Sequence, residues 1–317
     1  MASDRLSGDA RNNWSSELEL GTGTRPSERE PGTSNQERGN LEPGTGNTEL
    51  QIEAAMIRAL YTAASGMNAQ QANIDNVAHN LANVNTAGFK KSRVEFEDLV
   101  YQQIKAPGTP TSQESEAPIG LEAGLGARAV ATARNFVAGN LRSTSGPLDL
   151  AIEGHGFFQV SLPGGETGYT RAGALHLNGQ GQIVTAEGMQ LEPSLTIPAN
   201  ATTITVSKDG IVSAVVAGQP DPQQVGTIEL ATFQNPAGLA ARGGNVFVAT
   251  IASGDPTTST PGSDGLGTIA QGFLEDSNVS VVEEMVNMIL GQRAYEANSR
   301  VIRAADEMLQ QVNNLPR

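Results

Sequence analysis

Three histidines, His79, His155 and His176, are the side chains best placed for proton or metal chemistry in a chain without cysteine. None stands at the i, i+4 spacing that would put two imidazoles on one metal. His79 falls in a helical pattern beside its apolar stripe and is expected to face solvent. His155 lies between Gly154 and Gly156 ahead of an apolar run, a tight-turn position. The chain contains neither a Gly-x-Ser-x-Gly elbow nor a Gly-x-x-x-x-Gly-Lys-Ser/Thr loop. Two carboxylate clusters, Glu95-Glu97-Asp98 and Glu283-Glu284, contain the residue type a glycosidase uses in pairs. Solvation accounts for the first, and the second falls in a helical first turn, where the helix dipole favours anions. Gly124-Leu125-Gly126 is too short to indicate a phosphate loop. Asn200-Ala201-Thr202 and Asn278-Val279-Ser280 fit a glycosylation triplet that is frequent by chance. The expectation is a chain with no catalytic, cofactor or metal residues.

Composition points the same way. The 317 residues carry 20 Lys+Arg against 34 Asp+Glu, a formal net charge of -14. Nucleic acid is therefore not expected as a partner, since phosphate binding calls for a basic face. Aromatics at 4% and 36 glycines describe a turn-rich chain without a heavy aromatic core. Without cysteine there is no disulfide framework or thiolate metal site. No apolar run reaches the roughly 18 residues of a membrane span. Met1–Leu20 lacks both a basic start and an apolar stretch, so no cleavable secretory signal is expected.

The elements that could position anything fall into five segments. Residues 1–55 include a stretch, Gly21 to Thr48, rich in Gly, Thr, Glu and Pro, read as a disordered extension or a start assigned upstream of Met56. From Met56 a helix is expected over 56–90. Ile57, Leu60, Ala64, Met67, Gln71, Ile74, Ala78 and Leu81 keep a 3,4 alternation, a narrow heptad stripe. Ala64, Ala78 and Gln71 make that stripe weak. Asn83 to Phe89 is expected to close the helix, with Gly88 in the left-handed conformation. Residues 91–125 read as a connector, extended over 103–125. Short strands separated by Asn178-Gly179, Lys208-Asp209-Gly210 and Pro163-Gly164-Gly165 predict an antiparallel all-β domain over 126–275. Its candidate strands are 157–160, 175–177, 183–184, 203–206, 211–216, 225–233 and 246–248, and 252–267 reads as a surface loop. A second helix is expected over 276–317, capped by Ser277 or Ser280. Its stripe is Val281, Met285, Met288, Gln292, Tyr295, Ser299, Ile302 and Leu309. The fold class is α+β: amino- and carboxy-terminal helices paired as a coiled-coil-like unit, an extended connector and a central antiparallel β domain.

Ser65-Gly66-Met67 and the run Asn80-Leu81-Ala82-Asn83-Val84-Asn85-Thr86-Ala87-Gly88-Phe89-Lys90 resemble the amino-terminal signature of the flagellar basal-body rod and hook protein family. Gln271 to Glu275, Ser277-Asn278-Val279 and Gln292 to Ser299 resemble its carboxy-terminal signature. The resemblance covers 56–317. Phe96 to Gln102 with the connector behind it, and Ile152 to Val160, are most similar to the distal-rod branch.

That resemblance implies a structural subunit of the distal rod. Such subunits form a helical homo-polymer, a hollow drive shaft that crosses the periplasm and carries torque from motor to hook. The implied partners are the flagellar export apparatus, proximal rod proteins, the hook protein or hook-side junction, and the peptidoglycan and outer-membrane ring proteins. Export through the type III apparatus would need no cleavable signal. The terminal helices would line the inner tube, their stripes buried among neighbouring subunits and frayed in a lone one. The connector would brace neighbours, and the β domain would face the rings. The alternatives are another axial component (proximal rod or hook protein), a β-rich binding module, or a cell-wall hydrolase.

Overall fold

The computed structural model describes residues 45–109, 118–218 and 221–314. The predicted extension lies outside the described residues as far as residue 44. Helix α1 runs Thr45–Ala82 and so begins before Met56. The segment Glu49-Leu50-Gln51-Ile52-Glu53-Ala54-Ala55 supplies the reason: it contains good helix formers and neither Gly nor Pro. The helix also stops before Gly88. Asn83 Nδ2 caps it by donating to the His79 carbonyl at 2.9 Å, and the chain then turns through Thr86, whose N–H donates to Asn83 O at 3.1 Å. Gly88 keeps the left-handed φ of 68° expected of it, in that turn rather than at the helix end. A Cβ there would also lie 2.5 Å from the Arg171 backbone, so a side chain is excluded twice.

Helix α2 spans Val281–Asn313. Ser280 is its cap: the Glu284 N–H donates to Ser280 O at 3.0 Å, and the Glu283 N–H points at Ser280 Oγ at 3.5 Å. Glu283 and Glu284 lie in the first turn, at the positive end of the dipole.

The predicted extended connector is instead a two-stranded ribbon. Strands β1 (Ser92–Asp98) and β2 (Tyr101–Lys105) run out, and β3 (Leu121–Gly124) and β4 (Ala127–Arg134) return. β1 pairs antiparallel with β4 from Ser92↔Arg134 to Asp98↔Ala127, with a bulge at Glu95/Phe96. β2 pairs with β3 from Tyr101↔Gly124 to Lys105↔Leu121. Sequence reading missed it because most of its residues are exposed, which removes the one-sided apolar alternation that announces a strand. β4, assigned from sequence to the β domain, belongs to this ribbon.

Beyond the ribbon the predicted strands are present in an antiparallel β domain, except that the candidate 225–233 is broken at Ile228–Glu229 into strands 223–227 and 230–232, which lie in different sheets. The domain's nine-stranded sheet has the order 240–243, 246–248, 167–170, 157–161, 190–192, 183–185, 175–177. Strand 230–232 joins 157–161 to 257–259, so the predicted loop at 252–267 contains a short strand. A three-stranded sheet holds 201–206, 211–216 and 223–227. Two further pairs tie the end of the domain to its beginning: 268–271 with 150–153, and 273–275 with 141–143.

Alternation along 157–161 divides the interior. Phe158 and Val160 join Leu150, Ile152, Ile183 and Leu191 in the main core. Phe157 faces the other way, into a cluster with Tyr169, Phe233 and Phe247. The Tyr169 and Phe233 rings meet edge to face at 4.7 Å.

Candidate assembly interface

Both terminal helices touch each other, and the contacts lie beside the predicted stripes rather than centred on them. Asn80 Nδ2 is 3.4 Å from Glu284 Oε2. A Cβ at Gly291 would lie 3.1 Å from Ile74, and one at Gly66 would lie 2.8 Å from Asn298 Nδ2. Numbers rise along α1 as they fall along α2, so the helices run antiparallel. On α2 the residues in contact with α1 are Glu284, Gly291 and Asn298, each seven residues from the last; Ala305 continues the spacing, and Glu284 and Ala305 are buried. On α1, Met56, Ala63 and Val77 are buried at multiples of seven, with Gly66 and Asn80 on the alternate line.

The predicted α1 stripe is therefore turned by one residue from the buried line. Ile57 is exposed, while Leu60, Met67, Ile74 and Leu81 are half-buried. Along α2, Met288, Ile302 and Leu309 are half-buried, and Val281, Met285 and Tyr295 are exposed. A hydrophobicity reading overlooks the line found because Gly, Ala, Asn and Glu make it. Small residues let the backbones approach, and polar ones in a helix seam fix register. Val282, Val286, Ile289 and Leu290 add apolar surface on α2, each at least half exposed.

The amino-terminal motif residues are ties. Buried Asn80 donates from Nδ2 to Ser92 O at 2.8 Å and accepts at Oδ1 from the Ser92 N–H at 3.0 Å, joining α1 to β1. Thr86 Oγ1 donates to Asn83 Oδ1, and Phe89 is buried with its ring 5.5 Å from His79. Leu81 is half-buried; Ala82 and Asn85 are exposed. The matching carboxy-terminal tie is Asn278. Its Oδ1 accepts the Lys91 N–H at 2.7 Å, and its Nδ2 donates to Asn135 O and Val137 O.

The groups weighed for catalysis have structural surroundings. His79, His155 and His176 are exposed and lie on different elements. Glu95 pairs with Arg93, Glu97 with Arg128, and Glu283 with Lys91, each at 3.1 to 3.2 Å on the surface. No group of three His, Cys, Asp or Glu residues is arranged to hold a metal among the described residues. Sequence reading missed Lys90, Arg171 and Glu275, which meet in the interior. Lys90 and Glu275 sit inside motifs quoted for resemblance alone, and Arg171 carries no sequence signal.

Two long terminal helices tied together at their roots, a ribbon laid along one of them and a β-rich middle define a structural subunit of an axial assembly. Three family models match: flagella basal body rod protein over residues 60–90, flagellar hook protein FlgE/F/G D1 domain over 151–214, and flagellar basal body rod FlgEFG protein C-terminal over 270–315. The chain is 49% identical over 260 residues to flagellar basal-body rod protein FlgG of Caulobacter vibrioides, covering 82% of this chain and 99% of that one. With the FlgG proteins of Buchnera aphidicola subsp. Baizongia pistaciae and Bacillus subtilis it shares 47% over 260 and 38% over 270 residues. These cover 82% and 83% of this chain and 100% of each relative. The chain belongs to the flagellar basal-body rod proteins, in the FlgG group that builds the distal rod, and its role is structural.

Proposed function

We propose that the chain polymerises by burying the outward apolar lines of both terminal helices against other copies of itself. The supporting observation is the division of labour in the helix pair. Its small and polar line is used within the chain, while Ile57, Val282, Val286, Ile289 and Leu290 stay exposed. A lone subunit thus leaves much of its helix-borne apolar surface in water, a cost of about 25 cal/mol per Å² that neighbours relieve. The antiparallel contacts support a coiled-coil-like pair within each subunit. Contacts between different patches propagate as a helix instead of closing, which yields a shaft.

In this reading residues 56–90 and 276–317 form the inner tube of a hollow rod that crosses the periplasm and carries torque to the hook. The ribbon extends toward neighbouring copies, with Phe96, Tyr101, Ile104, Leu121 and Val130 exposed along it. The β domain forms the outer face toward the peptidoglycan and outer-membrane rings. Proximal rod proteins and the hook side cap the two ends, and the export apparatus delivers the subunit without a cleavable signal. No helix among the described residues is long and apolar enough to cross a membrane. The test is to replace Ile289 and Leu290 together by Asp and to recover basal bodies from cells carrying the variant chain. Rods should be missing while the purified subunit stays folded. Full-length rods from that strain would refute the reading.

A further inference from the structure

Lys90, Arg171 and Glu275 form a buried charge cluster of two cations and one anion, with side-chain exposures of 0%, 3% and 1%. Lys90 Nζ donates to Glu275 Oε1 at 2.6 Å, and Arg171 Nε lies 3.0 Å from Glu275 Oε2. The Gly139 N–H also donates to Oε1, at 2.8 Å. Three separate stretches supply the charges. Lys90 lies on the chain leaving α1, Arg171 on the β domain just after strand 167–170, and Glu275 on the strand that leads into α2. The backbone follows the same path, since the Gly88 N–H donates to Glu275 O at 2.7 Å.

We propose that Glu275 is a shared counter-ion that locks the chain leaving α1 and the chain entering α2 onto the β domain, and that Lys90 is the surplus cation of the lock. Bond by bond, the three members are not equivalent. Arg171 has other acceptors: its Nη1 and Nη2 donate to Gly156 O and Gly154 O, both at 2.8 Å. Val137 O, the second acceptor of Lys90 at 2.8 Å, also accepts from Asn278 Nδ2 at 3.1 Å. Lys90 can therefore be lost without stranding a buried partner: Glu275 keeps Arg171 and Gly139, and Val137 keeps Asn278. Loss of the carboxylate leaves two buried cations facing each other. Removing one partner of a buried pair is strongly destabilising because it strands the other charge; removing Lys90 strands none, since the Arg171–Glu275 pair that remains is balanced. Undocking of the segment that carries Glu275 would thus leave Lys90 and Arg171 without their counter-ion, whereas undocking of the segment that carries Lys90 leaves Glu275 paired with Arg171, so docking of the chain leaving α1 depends on the chain entering α2 and not the reverse.

Urea unfolding of the full chain tests this with Lys90→Met, Glu275→Gln and the double variant. Lys90→Met should hold the folding equilibrium constant within about tenfold of the unaltered chain or raise it. Glu275→Gln should lower it by roughly a hundredfold or more. Adding Lys90→Met to Glu275→Gln should recover at least about tenfold, because one of the two stranded cations is gone. Hydrogen exchange should show residues 88–92 and 275–280 opening together in Glu275→Gln. Equal losses from both single variants, or no recovery in the double, would overturn the proposal. If Glu275→Gln does not fold alone, failure of the double variant to fold also counts against it.

Discussion

Gly126 packs directly on Ser65: a Cβ added at residue 126 would fall inside the van der Waals envelope of Ser65 Oγ and stand 3.0 Å from Ser65 Cβ. That contact lays the ribbon along α1. Nearby, Thr62 Oγ1 donates to Gly124 O at 3.4 Å, and Ser65 Oγ is turned inward by its bond to Thr62 O at 2.9 Å. At the root of the ribbon, Asn76 and Asn80 hold Ser92 O. The half of the ribbon nearer the helix end is thus fastened to α1 at its root and at the junction of the two strand pairs, where Gly126 has a positive φ of 110°.

Gly126→Ala should therefore be costly on two counts, steric overlap and backbone strain, together on the order of 1–3 kcal/mol. The urea midpoint of the purified chain measures it. Ser65→Ala in the same chain should restore part of the loss by removing the hydroxyl but not the strain. An unchanged midpoint for Gly126→Ala would mean the ribbon does not bear on the helix in solution.

The β domain was legible because its strands are short, apolar and punctuated by Asn178-Gly179 and Asp209-Gly210, so turn chemistry marked their ends. Both helices were legible from their period, and their mutual face only in part: Ile74 of the predicted stripe meets Gly291. Hydrophobic stripes point to Ile57, Leu60 and Met285, whereas the line in contact runs through Gly66, Gly291 and Asn298, whose value lies in size and hydrogen bonding. The Lys90–Glu275 contact joins residues 185 positions apart, and no local pattern reports such a pairing. The ribbon was hidden for a third reason: its strands bury little, so period-2 burial left no trace.

The exposed line on α2 separates folding from assembly. Ile289 and Leu290 are 56% and 61% exposed, so Asp at either should change subunit stability by no more than about 0.5 kcal/mol. Motility and rod recovery should nevertheless be lost. Leu60→Asp and Ile74→Asp should also block assembly, with a subunit cost at Ile74 because that side chain packs beside Gly291. Motile cells carrying Asp at both Leu60 and Ile74 would remove the α1 stripe from any role between subunits.

Ser280 starts α2 at the point where the chain leaves the charge cluster, so its cap sets the helix's first turn. Ser280→Ala should lower stability by about 1 kcal/mol, read as a fall in the urea midpoint. Ser277→Ala should do less, since among the described residues the Ser277 hydroxyl serves only the Val279 N–H, at 3.3 Å, outside the helix. Equal effects would place the start of the helix earlier than Val281.

The surplus cation predicts an alkaline signature. Burial pushes the Lys90 ammonium below the ordinary lysine range, with the neighbouring Arg171 pushing the same way; the bond and charge of Glu275 oppose both without reversing them. A lysine whose folded value is lowered binds fewer protons folded than unfolded between the two values. Stability there rises with pH, by at most about 1.4 kcal/mol per unit. The penalty is complete below the folded value and gone above the unfolded one. Tyr169 works against this, because burial raises its phenol and so favours unfolding as pH climbs past the ordinary tyrosine range. The difference between the unaltered chain and Lys90→Met cancels the tyrosine. Any advantage of Lys90→Met near neutral pH should therefore shrink as pH rises toward the ordinary lysine value. Urea unfolding of both chains at matched pH values measures the difference. If the stability of the unaltered chain does not rise relative to that of Lys90→Met as pH climbs, Lys90 carries no penalty for its buried charge.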